Sequence, residues 1–213
     1  MREIDLDTWE RRTHFLTYKD FEQPLFGMCA NVDVGQLYEH AKRYHCSFTV
    51  AVIYMISKAA NAIPQFRQRI RGTTVIEHEV VHPSTTVLLA NDLFTFCTMD
   101  YVEPFSAFAA GADERVAHAK QNPSLQDEPG RDDMLYMTPI PWVTFTSFMH
   151  PHPARPVDSV PRLAWGKRMT TGSGWQMPLA VQGHHALMDG VHMGRFYGEL
   201  ADYFQSPKAI LTG

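Results

Sequence analysis

The chain has 213 residues, of which 45% are apolar and 20% charged, an ordinary composition for a globular protein. This length suits one fairly large domain or two small ones, and it allows a substantial core without metals or disulfides. The formal net charge of −4 excludes an overall basic field of the kind that attracts nucleic acid or an anionic membrane.

The N-terminus and the apolar runs indicate whether the protein is secreted or crosses a membrane. Residues 1–7 (MREIDLD) are charged and hold no apolar stretch, so they are not a secretory signal. The longest apolar run, residues 48–56 (FTVAVIYMI), has nine residues, whereas spanning a bilayer takes about 20. We therefore expect a soluble, cytoplasmic protein with no membrane partner.

The three cysteines are Cys29, Cys46 and Cys97, which are widely spaced and form no CxxC pair. An odd, scattered set is not typical of a disulfide framework or a zinc ribbon. We predict that most of them are buried free thiols.

The first third of the chain predicts three helices. Residues 7–10 (DTWE) have the side chains of a capping box, so the first helix should begin at Asp7. Residues 33–44 carry apolar side chains at helical spacing. Residues 47–62 combine capping hydroxyls with apolar residues on nearly every side, which predicts a helix that is buried on most sides and ended by Pro64.

The middle of the chain changes to short segments rich in β-branched and aromatic residues. These predict strands over residues 73–77, 85–90 and 93–100, the last two joined by an Asn-Asp turn. Pro104 should open a helix that runs to about Gln121. Residues 122–133 (NPSLQDEPGRDD), rich in Pro and Asp, predict a loop.

The last third predicts strands over residues 142–148, 163–169 and 175–182, and a final helix over residues 189–204. Helices and strands that mix without strict alternation indicate an α+β fold, in which helices pack on a sheet. Since no linker divides the chain, we expect one domain over residues 1–213.

The segment that carries chemistry is residues 182–192 (QGHHALMDGVH), where a strand ends on two histidines and a helix begins at an Asp. Active sites are often built at such element ends. Two alternatives exist. One histidine could cap the strand while Asp189 is only the helix N-cap, or His184, His185, Asp189 and His192 could bind a metal. The metal site is less favoured because adjacent strand residues face opposite ways and no HExxH spacing exists.

The spacing His-x-x-x-Asp-Gly in residues 185–190 resembles the signature of chloramphenicol acetyltransferases, and more loosely that of dihydrolipoamide acyltransferase domains. Similarity to the first family continues in order along the chain. It includes residues 9–15 (WERRTHF), 61–70 (NAIPQFRQRI), 141–148 (PWVTFTSF) and 177–182 (MPLAVQ). The second family also carries a lipoyl domain and a Pro/Ala-rich linker, which this sequence lacks.

The resemblance implies an assembly as well as a fold. It implies a two-layer sandwich of the α/β (α+β) class, with helices on a mixed sheet, that forms a homotrimer. Active sites would lie at subunit interfaces, with the histidine facing a pocket formed largely by the neighbouring subunit. Acetyl-CoA would be the co-substrate, a small hydroxyl compound the acceptor, and no metal would be needed.

The resemblance also implies catalytic roles. His185 would be the general base, since imidazole titrates near working pH and direct transfer from a thioester needs no covalent intermediate. Asp189 would pair with Arg11 and act as a structural clamp rather than as a triad member. Thr138, where the family has Ser, would donate a hydrogen bond to the oxyanion.

Binding residues follow from the same resemblance. Trp142 and Lys167 match positions of the coenzyme A channel, and Arg168 could add a phosphate contact.

The acceptor pocket matches the family in part. Tyr18 and Phe94 match the aromatic wall, but Phe96 is bulky where the family usually has a small residue. Outside the pocket, Ala164 stands where the family normally has a Thr that helps orient the intermediate. We therefore expect chloramphenicol as the leading acceptor. The alternatives are another small hydroxyl acceptor or a trimeric binding protein without catalysis.

Overall fold

The structure, a computed structural model, describes residues 1–127, 129–153, 158–172 and 174–212. In chain order the strands are β1 (Arg2–Glu3), β2 (Leu25–Asp33), β3 (Gln68–Arg71), β4 (Thr74–Glu77), β5 (His82–Leu88), β6 (Phe94–Thr98), β7 (Met134–Ile140), β8 (Arg162–Gly166), β9 (Met169–Thr171) and β10 (Gly174–His184). The helices are α1 (Arg12–Tyr18), α2 (Gly35–Tyr44), α3 (Phe48–Asn61), α4 (Pro64–Arg67), α5 (Phe105–Gln121), α6 (Gly190–Gln205) and α7 (Pro207–Leu211).

Most strands belong to one mixed seven-stranded sheet in the order β2-β10-β8-β7-β5-β6, with β9 also paired to β10. β7 runs parallel to both β5 and β8, and the remaining pairs are antiparallel. β1, β4 and β3 form a separate small antiparallel sheet. Because β10 has a partner on each side, it is an interior strand, and its last eight residues are buried. β10 therefore runs through the core up to the turn that leads into α6.

The helices cover the sheet and enclose the main core. α3 is buried along most of its length, and it packs against α2, α5 and α6 as well as against β5 and β7. Ser47 caps it, with its Oγ accepting a hydrogen bond of 3.3 Å from the Val50 amide. α6 returns onto α3 and β2, and Phe196 stacks on Phe66 at 4.9 Å between ring centroids. This packing anchors α6, the helix that begins directly after the histidine pair.

The predicted helices at residues 33–44, 47–62, 104–121 and 189–204 are confirmed as α2, α3, α5 and α6. Their apolar spacing reflects burial against the sheet, which a helix of three or more turns displays clearly. Asp7 does not begin α1, however. It lies in a turn in which the Asp5 carboxylate accepts its amide, and α1 begins only at Arg12.

The strand predictions at residues 73–77, 85–90, 93–100 and 175–182 are confirmed with shifted ends. The prediction at residues 163–169 covers two strands, β8 and β9, with a break after Gly166.

The prediction of a strand at residues 142–148 is wrong. This segment is irregular, and the Lys167 amide, directly after β8, donates to the Val143 carbonyl at 2.8 Å. Its apolar side chains are largely exposed, with Trp142 at 65%.

Sequence reasoning missed β2 and β7. Gly27 and Asn31 interrupt the β-branched pattern of β2, and Pro139 interrupts that of β7. In the predicted loop at residues 122–133, the described residues form no helix and no strand. Residue 128 lies outside the described residues.

The cysteines are free, but only Cys97 is fully buried, while Cys29 and Cys46 are half-buried. In the part of the chain that the structure describes, no helix has the length and apolar character needed to cross a bilayer.

Candidate active site

The turn between β10 and α6 holds the histidine pair. The His185 amide donates to the Pro24 carbonyl at 2.8 Å, which ties the turn to the start of β2. The amides of Leu187 and Met188 both donate to the His184 carbonyl, at 2.9 and 3.1 Å, so the chain reverses tightly. Asp189 then caps α6, with its Oδ1 accepting from the Val191 amide at 3.2 Å. Hydrogen bonds therefore hold this segment in place at both of its ends.

The His185 ring is held in one orientation. Its Nδ1 lies 3.0 Å from the Met188 carbonyl oxygen. Since a carbonyl only accepts, Nδ1 must carry the hydrogen, and Nε2 keeps a free lone pair. The ring stacks on Tyr18 at 4.2 Å between centroids and packs against Phe26 at 4.7 Å. His185 therefore presents a fixed nitrogen that can accept a proton.

Arg11 binds the same turn through three contacts. Its Nη1 lies 2.7 Å from Asp189 Oδ2, its Nη2 donates to the His185 carbonyl at 3.0 Å, and its Nε donates to the Ala186 carbonyl at 3.2 Å. Burial alone would raise the pKa of Asp189, but the Arg11 hydrogen bond and the positive charges of His192 and Arg11 outweigh it and lower the pKa below its ordinary value. The structure thus brings together the two residues that the clamp hypothesis requires.

His184 lies in the interior instead. It is 2% exposed, and its Nδ1 accepts a hydrogen bond of 3.2 Å from the Ala186 amide. Burial lowers the pKa of His184 to about 4, with the positive charge of His185 adding to the effect and Asp158 opposing it. A neutral, enclosed ring of this kind supports the fold of the turn.

Most of the other predicted site residues line a cavity of 1240 Å³ on the β5–β7–β8 part of the sheet. They are Thr138, Phe94, Phe96, Trp142, Lys167 and Arg168. Among the described residues that line this cavity, neither His185 nor Tyr18 is found. The structure therefore divides the predicted site into a histidine half, around His185, and a cavity half, around Thr138.

The strand register measures the separation of the two halves. Thr138 pairs with Ala164 on β8, which pairs with Ala180 on β10, so the three residues form one row across the sheet. His184, the last residue of β10, lies four residues beyond Ala180, about 14 Å along the strand direction at roughly 3.4 Å per residue, and His185 follows it in the turn. Within one chain, His185 and Thr138 therefore lie at separate places on the sheet, and only Thr138 lines the cavity.

Cationic and aromatic groups meet near one end of the cavity. The Arg168 guanidinium lies 4.1 Å above the Tyr38 ring centre and 5.4 Å from that of Trp175. Such stacking holds a cation in place while leaving its charge uncancelled. Lys167 is exposed beside it, next to the exposed Trp142. This end of the cavity has the charge and the flat surface needed to hold a phosphate-bearing, aromatic ligand.

The cavity also contains polar groups that sequence reasoning missed. His150 Nε2 lies 3.2 Å from Thr138 Oγ1, and Gln182 Oε1 lies 2.9 Å from His150 Nδ1. Further along, Tyr136 donates to Asp127 at 2.8 Å. His150 lies in an irregular segment with no motif spacing. Only the position of Gln182, two residues before the histidine pair, gave a sequence signal.

No group of three or more His, Cys, Asp or Glu side chains that could hold a metal ion is found within residues 1–127, 129–153, 158–172 and 174–212. The Nδ1 atoms of His184 and His185 are engaged by the Ala186 amide and the Met188 carbonyl, respectively.

Known proteins resemble this chain over most of its length. A family model described as chloramphenicol acetyltransferase matches residues 1–201. A chloramphenicol acetyltransferase of Klebsiella sp is 29% identical over 201 residues, which cover 94% of this chain and 92% of the relative.

Solved structures are similar as well. A chloramphenicol acetyltransferase superposes with a TM-score of 0.85 at 24% identity, covering 95% of this chain and 100% of the other. The dihydrolipoamide acetyltransferase of Azotobacter vinelandii superposes with a TM-score of 0.67 at 17% identity, covering 99% and 93% of the two chains, and so shares the fold. With the family model matching nearly all of its residues, the chain belongs to the chloramphenicol acetyltransferase family.

Proposed function

We propose that this protein transfers the acetyl group of acetyl-CoA to a hydroxyl oxygen of chloramphenicol. Family membership supports the reaction class, and one observation in the structure carries the mechanism. His185 Nδ1 is bound to the Met188 carbonyl, so Nε2 is left as a proton acceptor on a rigid turn. The turn has the spacing and the neighbours expected of a general base.

The two halves of the site meet in an oligomer. Within one chain, His185 follows the end of β10, which lies about 14 Å along the strand direction from the row of Thr138 at roughly 3.4 Å per residue. His185 of one subunit would therefore face the cavity of another. A closed homotrimer satisfies this geometry, because a head-to-tail interface places each histidine half against a neighbour's cavity half. Tyr18, which stacks on His185, would form part of the wall of the same composite site.

Each residue then has a role in a direct transfer. His185 Nε2 takes the proton of the acceptor hydroxyl as its oxygen attacks the thioester carbonyl, and later returns that proton to the leaving sulfur. A positioned base contributes about 10²–10⁴ in rate. The Thr138 hydroxyl would stabilise the oxyanion, a contribution of about 10²–10³. Arg11 and Asp189 would hold the turn that carries His185.

The cavity supplies the binding groups. Lys167 and Arg168 offer positive charge for the phosphates of the donor, and Trp142 offers a flat apolar surface. Phe94 and Phe96, whose ring centroids lie 5.9 Å apart, form an aromatic wall for the acceptor.

A second candidate keeps the donor and the mechanism but changes the acceptor to another small hydroxyl compound. Two departures from the family favour it, namely the bulky Phe96 and the buried Ala164. The polar end of the cavity adds a third reason, because Tyr136 and its partner Asp127 offer hydrogen bonds to a more polar acceptor.

The test is release of free thiol from acetyl-CoA with a panel of alcohols that includes chloramphenicol. We expect release with chloramphenicol, reduced by about 10²–10⁴ in His185→Ala. His118→Ala, at an exposed histidine on α5, is the matched control and should match wild type. Release with other alcohols only would favour the second candidate. Binding without any acetyl product would contradict both and leave a binding protein.

We also propose that residues 1–213 act as one acyltransferase domain, because the same sheet carries both halves of the site. The three free cysteines fit a reducing compartment such as the cytoplasm.

A further inference from the structure

One carboxylate in the cavity half has no role in the transfer itself. Asp127 lies in the loop after α5, and the Tyr136 hydroxyl on β7 donates to its Oδ2 at 2.8 Å. Its Oδ1 is shielded from solvent, and within the described part of the chain no donor reaches it. Burial raises the pKa of Tyr136, and the hydrogen bond and charge of Asp127 raise it further, so the phenol is a neutral partner. Asp127 therefore keeps a negative charge that lacks a cation and a second donor.

The two ends of the cavity carry opposite charges. β8 separates them, since it begins at Arg162 and its five residues extend about 14 Å at roughly 3.4 Å per residue. The cations at residues 167–168 follow its last residue and make that end positive. At the other end, the Asp158 carboxylate accepts from both Nη atoms of Arg162, so these two charges balance. Tyr136 pairs with Arg162 across the strands, which places the unbalanced charge of Asp127 at this end.

The distance from this charge to the reacting hydroxyl follows from β7. Thr138 and Tyr136 are two residues apart on this strand, so their side chains stand on the same face of the sheet, about 7 Å apart. Phe94 and Phe96 line the same cavity and supply flat apolar surface. A carboxyl group turns easily about its Cβ–Cγ bond, so either oxygen of Asp127 can face a ligand there. One small molecule can therefore reach the oxyanion donor, the aromatic wall and the carboxylate together.

We propose that the preferred acceptor is an aryl alcohol that carries a protonated primary amine about 7 Å from its hydroxyl, and that Asp127 determines this preference by binding the ammonium group. The aromatic ring of the acceptor lies against Phe94 and Phe96, and its hydroxyl points towards Thr138. The inference rests on the proposed acetyl transfer and specifies the second candidate acceptor, because the side-chain nitrogen of chloramphenicol is an uncharged amide.

The transfer itself is unchanged by the amine. The acceptor oxygen forms a bond to the acetyl carbonyl carbon, the carbon–sulfur bond breaks, and the hydroxyl proton passes through His185 to the sulfur, which leaves as a free thiol. The ammonium group keeps its protons throughout, because a hydrogen bond to the Asp127 carboxylate stabilises its charged form. The product is therefore an ester at the oxygen and not an amide at the nitrogen.

The experiment compares two acceptors of the same shape, para-(aminomethyl)benzyl alcohol and para-ethylbenzyl alcohol, in which an ammonium group takes the place of a methyl group. The intact protein is given acetyl-CoA and either alcohol, and kcat/KM is measured from thiol release. Mild alkali, which cleaves an ester and spares an amide, identifies the acetylated atom. Wild type should favour the ammonium compound by about tenfold or more, since hydrogen bonds between charged partners are the strong ones.

Three variants assign the preference to one side chain. Asp127→Asn can still accept the Tyr136 hydrogen bond but has no charge, so it should treat the two acceptors alike. Asp127→Glu keeps the charge and should keep a preference for the ammonium compound. Asp113→Asn, at an exposed position on α5, changes the net charge equally and should keep the wild-type preference within about twofold. Because the preference is a ratio within one preparation, partial unfolding of a variant lowers both rates and leaves the ratio unchanged.

The inference is overturned if wild type treats the two acceptors alike, or if Asp127→Asn keeps the full preference. In both cases, acetylation of chloramphenicol would leave the proposed function standing. Acetylation of the ammonium compound without any acetylation of chloramphenicol would support the inference and contradict chloramphenicol as the acceptor. No thiol release with any alcohol would overturn both.

Discussion

Two adjacent histidines at the end of β10 lie in different surroundings. His184 is enclosed by the core and accepts a backbone hydrogen bond, while His185 has left the strand and stacks on Tyr18. An interior imidazole loses the solvation of its charged form, and this loss lowers the pKa of His184. Position along the strand, and not residue type, separates the structural histidine from the proposed base.

The buried His184 should make the protein sensitive to acid. Its folded pKa of about 4 lies below its unfolded value, so the unfolded chain binds the proton first as the pH falls. The contribution of neutral His184 to the unfolding free energy should therefore be fully present above about pH 6.5 and should be lost as the pH falls towards 4. Between pH 7 and pH 5 this residue alone should lower the unfolding free energy by about 2 kcal/mol.

Urea unfolding at the two pH values measures this decline. His184→Asn keeps an acceptor for the Ala186 amide and should show a smaller drop between pH 7 and pH 5 than wild type. His118→Asn, at an exposed position on α5, should leave the drop unchanged. An equal drop in all three proteins would show that His184 is not the group that titrates.

Arg11 should contribute more to the stability of the protein than the neighbouring Arg12 does. Arg11→Ala leaves the Asp189 carboxylate and two backbone carbonyls without their partner, so the unfolding free energy should fall by about 2–4 kcal/mol. Arg12→Ala is the matched control. Its pair with Asp7 is exposed and 3.8 Å long, so it should cost less than about 0.5 kcal/mol. Equal losses in the two variants would contradict the clamp.

The site residues differ in how readily the sequence reveals them. His185, Asp189 and Arg11 belong to motifs with fixed spacing, and the structure places the Arg11 side chain against the turn that carries the other two. His150 approaches Thr138 only because an irregular segment folds back over β7, and such a contact leaves no periodic signal. Sequence reasoning therefore found the histidine half more completely than the cavity half.

At the scale of elements, the junction of β10 and α6 depends on one glycine. A Cβ at Gly183 would overlap the Met188 Sδ and lie 3.0 Å from its Cγ. Met188 also supplies the carbonyl that orients His185. The absence of a side chain at Gly183 lets the turn close directly over the strand.

Gly183→Ala should therefore impair catalysis by moving Met188 and the His185 ring with it. Small displacements of a catalytic group can cost about 10² in rate, and we expect a loss of that size in kcat for acetylation. Gly198→Ala is the matched control on α6, since nothing lies within 4 Å of its added Cβ. It should keep full activity and stabilise the helix by about 0.5–1 kcal/mol. Unchanged kcat in Gly183→Ala would contradict the role of this contact.

Element prediction succeeded where burial produces a long, regular pattern. α3 is apolar on nearly every side because it packs on helices and sheet at once, and its limits were found within one residue. β7 was missed because it contains Pro139 and pairs in parallel with β5 and β8, so its side chains follow no simple alternation. The segment at residues 142–148 has an alternating pattern, but its apolar side chains serve the cavity and the surface.

At the scale of the whole molecule, one mixed sheet carries both halves of the site at separate places. The histidine half lies where β10 ends, and the cavity half lies over β5, β7 and β8. Periodicity and composition cannot show this division, because it depends on strand order. The register of β7, β8 and β10 keeps the histidine half and the cavity half of one chain apart, which is why we propose that they meet across subunits.

The central claim is that each active site combines His185 of one subunit with the cavity of another. Complementation tests it most directly. His185→Ala and Thr138→Ala are each unfolded, mixed in equal amounts and refolded together, and acetylation is compared with that of each variant refolded alone. Random assembly gives an intact histidine half facing an intact cavity half at about one quarter of the sites, because each half comes from a different subunit. We predict recovery of about one quarter of wild-type activity in the mixture. Activity no higher than the mean of the two variants alone would contradict the shared site.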